Sequence, residues 1–194
     1  LMANDYQVTG KNAKAKFSLK IHRGDGMCLL AMNWKKNLKP PDDFVGFSIE
    51  FREPDGNGFI PVKNRIQFAD ANGKALKGSK SSREAPIQMF RWVHFPQNAD
   101  KKGKFTYRVT PVFMDQDDRL IFGEAQEGSL ELARETYPEL NVSFTRGFVS
   151  SQAFVDRYEK TGGVANLLPK SSKLGPDFVP THPKASEALE WMGF

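Results

Sequence analysis

The chain is built around runs in which every second residue is apolar. From Lys14 to Ile21, Phe17, Leu19 and Ile21 fall on one side, with Lys16, Ser18 and Lys20 on the other. That period of two predicts a strand with one buried face. Gly24-Asp25-Gly26 reads as a turn, and Met27 to Trp34 as the next strand. After the break at Pro40-Pro41-Asp42-Asp43, Val45, Phe47, Ile49 and Phe51 alternate with Gly46, Ser48, Glu50 and Arg52, the clearest strand of the first half. Pro54-Asp55-Gly56-Asn57-Gly58 is a strong turn signal, because glycine and asparagine tolerate positive φ. Short strands are predicted at Phe59–Val62 and Arg65–Phe68, then a polar, basic, mobile loop over 70–84, then a strand from Ile87 to Phe95.

The second half repeats the pattern once at greater length. Phe105, Tyr107, Val109, Pro111 and Phe113 occupy every second position between Gly103 and Phe113. Proline cannot donate to a ladder, so Pro111 is expected at an edge or a bulge. The sequence Tyr107-Arg-Val-Thr-Pro-Val112, the polar turn Asp115-Gln-Asp-Asp118 and Arg119-Leu-Ile-Phe122 resemble the last two strands of an immunoglobulin-like or fibronectin type III sandwich. Many short strands with regular turn signals point to the same all-β class without any family. Leu130-Glu-Leu132 and Val142-Ser-Phe144 close the β portion. The predicted fold is therefore a β-sandwich domain within residues 1–145, followed by short C-terminal helices. The first has its N-cap at Ser150 or Ser151 and ends at Gly162-Gly163; the second opens at Pro183 and carries Ala185, Ala188, Leu189 and Met192 on one face. Between them, residues 164–181 read as an irregular tail.

Composition sharpens this picture in four ways. Hydrophobic residues at 39% and 16 phenylalanines can fill a core, which excludes wholesale disorder. A single cysteine, Cys28, excludes an intrachain disulfide framework and fits a reducing, cytoplasmic compartment. There is no apolar run of about 20 residues that would span a membrane, and Leu1 to Tyr6 has no apolar signal core. The net charge of +5 is unevenly spread: residues 1–40 carry eight basic and two acidic side chains, whereas 115–135 carry seven acidic and two basic. Such an arrangement suggests docking between domains or to polar ligands.

Candidate chemistry is sparse. His22, Asp25 and Cys28 gather three possible metal ligands in seven residues, but a zinc site wants paired clusters, and a solvated turn accounts for them better. Asp115, Asp117 and Asp118 suggest calcium, yet a calcium loop from Asp115 would need glycine at Leu120 and glutamate at Gln126, so a hairpin turn is expected. The pairs Glu50/Glu53 and Glu124/Glu127 read as solvated acids on strand edges. Phe90-Arg91-Trp92-Val93-His94-Phe95 interleaves aromatics with cations as a nucleic-acid clamp would; alternation makes core packing the expectation. No catalytic residue, metal or cofactor is expected.

One segment points to a family. Phe144-Thr-Arg146-Gly147-Phe148-Val-Ser-Ser151-Gln152-Ala153-Phe154-Val-Asp-Arg157-Tyr158 resembles the stretch that joins the N-terminal β domain of large bacterial phospholipase D-like proteins to their catalytic domains. The strands Ile87–Phe95 and Tyr107–Val112 echo the same region. Phosphodiesterases of this kind use two His-x-Lys-(four residues)-Asp motifs, one histidine attacking phosphorus and the other protonating the leaving group. His22, His94 and His182 offer one near miss: His182 has Lys184 two places on, but Leu189 stands where aspartate belongs and Glu190 comes one residue late. The resemblance thus implies a non-catalytic front domain with residues 146–194 leading toward downstream catalytic domains in cis. It makes Arg146, Gly147, Ser151 and Gln152 junction residues, with Ala153, Phe154 and Tyr158 facing the catalytic domain. The alternative is a free-standing binding module for polysaccharide or nucleic acid, using the basic loops at 11–39 and 74–83 with Lys77, Lys80 and Arg83.

Overall fold

The computed structural model describes residues 6–35 and 38–133, together with Arg157, Tyr158, Glu187 and Glu190. The chain divides into two compact units, Leu1–Arg134 and Glu135–Phe194. In the first unit eleven strands follow in order: β1 (Gln7–Thr9), β2 (Phe17–Gly24), β3 (Met27–Trp34), β4 (Phe44–Arg52), β5 (Ile60–Pro61), β6 (Lys63–Asn64), β7 (Lys80–Ser81), β8 (Arg91–His94), β9 (Lys104–Met114), β10 (Leu120–Phe122) and β11 (Gln126–Glu131). One sheet has the order β1-β2-β3-β8. The other has the order β10-β9-β4-β5, with β11 also on β9, and β6 and β7 form a separate ribbon. Every pairing is antiparallel.

The period-2 runs become the inner faces of the two large sheets. Phe17, Leu19 and Ile21 of β2 and Cys28, Leu30, Met32 and Trp34 of β3 are buried on one side of the core; Phe47, Ile49, Phe105, Tyr107 and Val109 are buried on the other. The Phe17 and Phe47 rings meet across the interface with centroids 5.2 Å apart. Two sheets facing each other over one aromatic-rich core is what half-apolar strands require, because each hides its apolar face only against another layer. At one side the sheets come unusually close. A Cβ on Gly128 of β11 would lie 2.9 Å from Ile21 Cδ1 and 3.0 Å from Val8 Cγ1, so only glycine lets β11 settle there.

Gln126, at the start of β11, ties the two sheets together. Its side chain is buried and fully used: the Asn12 amide donates to Oε1 at 2.9 Å, and Nε2 donates to the carbonyls of Asn12 and Phe17, both at 3.0 Å. Buried amides are tolerated only when satisfied in this way.

Several expectations need correction. The run Ile87–Phe95 is not one strand. Ile87 forms an isolated bridge to Phe47 in the second sheet, exchanging both backbone hydrogen bonds at 2.8 Å, while Arg91–His94 pairs with β3 in the first. Gly46, at φ +135°, permits the bridge: a Cβ there would lie 2.7 Å from the Ile87 carbonyl oxygen. Arg65–Phe68 forms no strand; instead Lys63–Asn64 pairs with Lys80–Ser81 out of the segment read as a loop. Asn64 diverts the chain, accepting from the Ile66 amide at 3.1 Å while its own buried amide donates to Ala85 and Pro86 carbonyls. The strand at Gln7–Thr9, paired with His22–Lys20, lay outside the predicted pattern.

Pro111 sits in a central strand and not at a sheet edge. It lies opposite Phe47, whose backbone N–H and C=O point the other way, to Ile87. On its far side the partner strand is interrupted between β10 and β11, where Gly123 donates to the Pro111 carbonyl at 2.9 Å. The missing N–H therefore falls at a break in the neighbouring strand. The shift between Phe44 and Gly46 in the pairing of β4 with β9 lies beside it. The strand expected at Val142–Phe144 and nearly all of the two C-terminal helices lie outside the described residues; Arg157, Tyr158, Glu187 and Glu190 are helical.

The Gln126→Ala variant is expected to lose about 3 kcal/mol of stability, since three hydrogen bonds go, leaving the buried Phe17 carbonyl and the half-buried Asn12 amide and carbonyl without this partner. Urea unfolding followed by tryptophan fluorescence checks this, and an unchanged midpoint refutes the clamp.

Candidate functional site

The chemically richest place in the first unit lies inside it. Register pairs Cys28 of β3 with His94 of β8, and Tyr107 of β9 reaches both from the opposite sheet. His94 Nδ1 lies 2.9 Å from the Tyr107 hydroxyl, and the His94 ring packs on Phe51 at 4.5 Å between centroids. Burial pushes the histidine down from 6.5 to about 4, because the core does not solvate an imidazolium. Burial likewise pushes the Cys28 thiol up to about 12, only partly offset by a hydrogen bond with Tyr107, and raises the Tyr107 phenol well above its ordinary value. All three groups are therefore neutral near pH 7. A thiol without a thiolate is a poor nucleophile, so this is a satisfied core network and not a cysteine–histidine catalytic pair.

The other sequence candidates are dispersed or already engaged. His22 and Cys28 occupy opposite faces of the first sheet: Cys28 is fully buried, and His22 alternates out of phase with the buried Phe17, Leu19 and Ile21. No group of three metal-ligating side chains occurs among the described residues. Asp115 is a turn-former. Its Oδ1 accepts the amides of Asp117 and Arg119 at 2.9 Å, and the Arg119 guanidinium closes on Asp115 Oδ2 at 3.0 Å and on Asp117 at 2.6 Å. Those amides, Arg119 first, hold its carboxyl below the usual range. The carboxylate pairs separate in the same way. Glu50 is buried and takes Arg83 at 3.3 Å, Glu53 takes Lys101 at 2.6 Å and Asn98 at 2.9 Å, and Glu127 takes Arg108 at 2.6 Å.

The outer face of the second sheet interleaves arginines with aromatic rings. Arg108 stands 3.8 Å and Arg52 4.9 Å from the Phe59 ring centroid, and Arg83 lies 4.8 Å from that of Phe122. Arg83, a candidate basic-loop residue, is thus held by Glu50 and Phe122, whereas Lys77 and Lys80 are exposed. Of the basic segment 11–39, residues 17–34 are strand and not loop. In Phe90–Phe95, Trp92 and His94 are half-buried, and Phe90 rests its ring on Phe47 at 5.5 Å while staying 37% exposed, so the run packs on the core from its rim. A shallow open hollow of about 420 Å³ is lined by Lys11, Asn12, Glu124, Ala125 and Glu127, over the Gln126 clamp. Sequence patterning placed His94 and Trp92 on one face correctly; it gave no sign that Cys28, His94 and Tyr107 converge, because they come from three strands in two sheets.

Of the proposed junction residues, Arg146, Gly147, Ser151, Gln152, Ala153 and Phe154 lie outside the described residues, as do His182 and Lys184. Tyr158 is buried in the second unit, its hydroxyl donating to the Glu187 carbonyl at 3.1 Å. No family model, curated protein or solved structure matches this chain.

Two measurements test the buried network. In the native protein Cys28 is expected to resist a disulfide reagent at mildly alkaline pH and to react fully once unfolded in guanidinium chloride. His94, neutral in the fold and ordinary when unfolded, contributes stability that is complete above pH 6.5 and is lost as pH falls toward about 4. The loss is on the order of 3 kcal/mol, and His94→Gln should flatten it. Glu53 and Asp55, held low by Lys101, keep their full stabilisation above about 4.5 and lose it only below that, so denaturant midpoints between pH 6.5 and 4.5 isolate the histidine.

Proposed function

We propose that this chain is a fibronectin type III-like sandwich serving as the non-catalytic N-terminal accessory domain of a phospholipase D-like phosphodiesterase. The observation that carries the fold part is the strand exchange. The chain runs through the β2–β3 hairpin, crosses to β4 and β5, returns to β8, crosses again to β9 and finishes on β10 and β11. Set aside the short β1, and the three-stranded β2-β3-β8 sheet faces β5-β4-β9 with β10 and β11 sharing the last edge. This order supports the reading, since an A-B-E sheet against a C′-C-F-G sheet would have it. The family part rests on the segment Phe144–Tyr158 and on its position directly after such a sandwich.

An accessory role suits the chemistry. The cations and carboxylates of the second sheet's outer face are paired with one another or stacked on rings, which makes a rigid, polar wall. Such a wall can carry or shield a neighbouring catalytic cleft without doing chemistry itself.

The purified 194-residue chain is expected to leave bis(p-nitrophenyl) phosphate intact, and two His-x-Lys-(four residues)-Asp motifs are expected in the coding sequence after Phe194. Hydrolysis by this chain alone overturns the non-catalytic assignment. A downstream sequence without the paired motifs overturns the family assignment and leaves the sandwich to the binding-module reading.

A further inference from the structure

The segment 62–82 leaves the sandwich as an arm. Its base is the β6–β7 ribbon, which pairs Lys63 with Ser81 and Asn64 with Lys80. Farther out the Gln67 side chain donates to the Gly78 carbonyl at 3.1 Å, and the tip closes where the Asp70 amide donates to the Lys74 carbonyl at 3.0 Å. Asp70 Oδ1 completes the tip by accepting the amides of Asn72 and Lys74. Beyond the ribbon lie three large apolar side chains, Phe68, Leu76 and Ile66. These three side chains are 36%, 44% and 70% exposed in that order, and all of 71–80 is exposed. Large apolar residues on a protruding ribbon cost solubility and contribute nothing to the core, so they mark a contact surface.

Charge identifies the contact. The outer part of the arm exposes Lys74, Lys77 and Lys80, and its single acid, Asp70, is used by the Asn72 and Lys74 amides. We infer that the arm docks on an anionic lipid bilayer, with Ile66, Phe68 and Leu76 entering the interface and the lysines meeting the headgroups. Apolar residues flanked by flexible lysines are the chemistry of interfacial binding: buried area supplies one part, attraction to anionic headgroups the other, and lysine stems extend along the boundary. For nucleic acid the arm offers one arginine, Arg65, and one ring, Phe68, whereas the aliphatic Ile66 and Leu76 have no base or phosphate to meet. The inference does not rest on the phospholipase D-like reading, since no residue of the arm belongs to that resemblance.

Flotation of the whole chain with vesicles tests it. The wild type is expected to float with vesicles of phosphatidylcholine and phosphatidylserine in a roughly 2:1 ratio and not with phosphatidylcholine alone. The Lys74→Glu/Lys77→Glu/Lys80→Glu variant and the Ile66→Ser/Phe68→Ser/Leu76→Ser variant are each expected to weaken partitioning roughly tenfold or more. Because every substituted side chain is exposed, thermal melting should remain at the wild-type midpoint, and it confirms that each variant is folded. Absence of flotation with the anionic vesicles overturns the inference. So does apolar-variant binding equal to wild type, which reduces the contact to unspecific charge. Binding to an oligothymidine that is stronger than to vesicles and lost in the lysine variant assigns the arm to nucleic acid instead. None of these outcomes bears on phosphodiester hydrolysis, so the two proposals stand or fall separately.

Discussion

The antiparallel pairing of β4 with β9, from Phe44 opposite Phe113 to Arg52 opposite Thr106, joins strands nearly sixty residues apart and organises everything around it. Both strands are covered on both faces. Inward, Phe47, Ile49 and Phe51 stand beside Pro111, Val109 and Tyr107 and meet the first sheet; outward, Ser48, Glu50 and Arg52 stand beside Thr110, Arg108 and Thr106. A slip of one residue would turn the aromatic set outward and bury the charged one, so the register is strongly specified. The remaining edges are then completed locally. Val62, Ser82 and Ile87 bond the free edge of β4, with Ser82 Oγ both accepting from the Ile49 amide and donating to its carbonyl. The free edge of β9 is shared by β10 and β11.

Polar groups inside the sandwich divide into two kinds. Gln126 is a neutral amide that satisfies backbone groups from the turn before β2 and from β2 itself, so it fixes how one sheet sits on the other. Cys28, His94 and Tyr107 are titratable groups that the core keeps neutral by desolvation. Both arrangements constrain the fold, and neither carries a charge near pH 7.

The surface is divided as well. The outer face of the second sheet neutralises its own charge through Arg83–Glu50 and Arg108–Glu127 and covers Phe59 with guanidinium groups. The arm does the reverse, exposing apolar side chains beside Lys74, Lys77 and Lys80. Because Asn64 turns the chain out of the sheet while staying buried itself, the arm is anchored by the core without taking part in it. Substitution of the exposed side chains beyond Asn64 therefore leaves the core packing intact.

The all-β class, the strands beginning at Phe17, Met27, Phe44 and Lys104, and the Asp115–Asp118 turn were legible in the sequence, because alternation and turn chemistry are local properties. Tertiary structure alone decided which sheet each run joins. Ile87 and Arg91 are four residues apart in one alternating run, yet they serve opposite sheets, since Gly46 admits the Ile87 backbone to Phe47. Pro111 could enter a central strand because its missing N–H faces a gap whose position depends on where β10 ends and β11 begins. The Cys28–His94–Tyr107 network and the β6–β7 arm were invisible for the same reason. Period-2 patterning records which face of a strand is apolar, whereas pairing partners come from long-range packing that no local window contains.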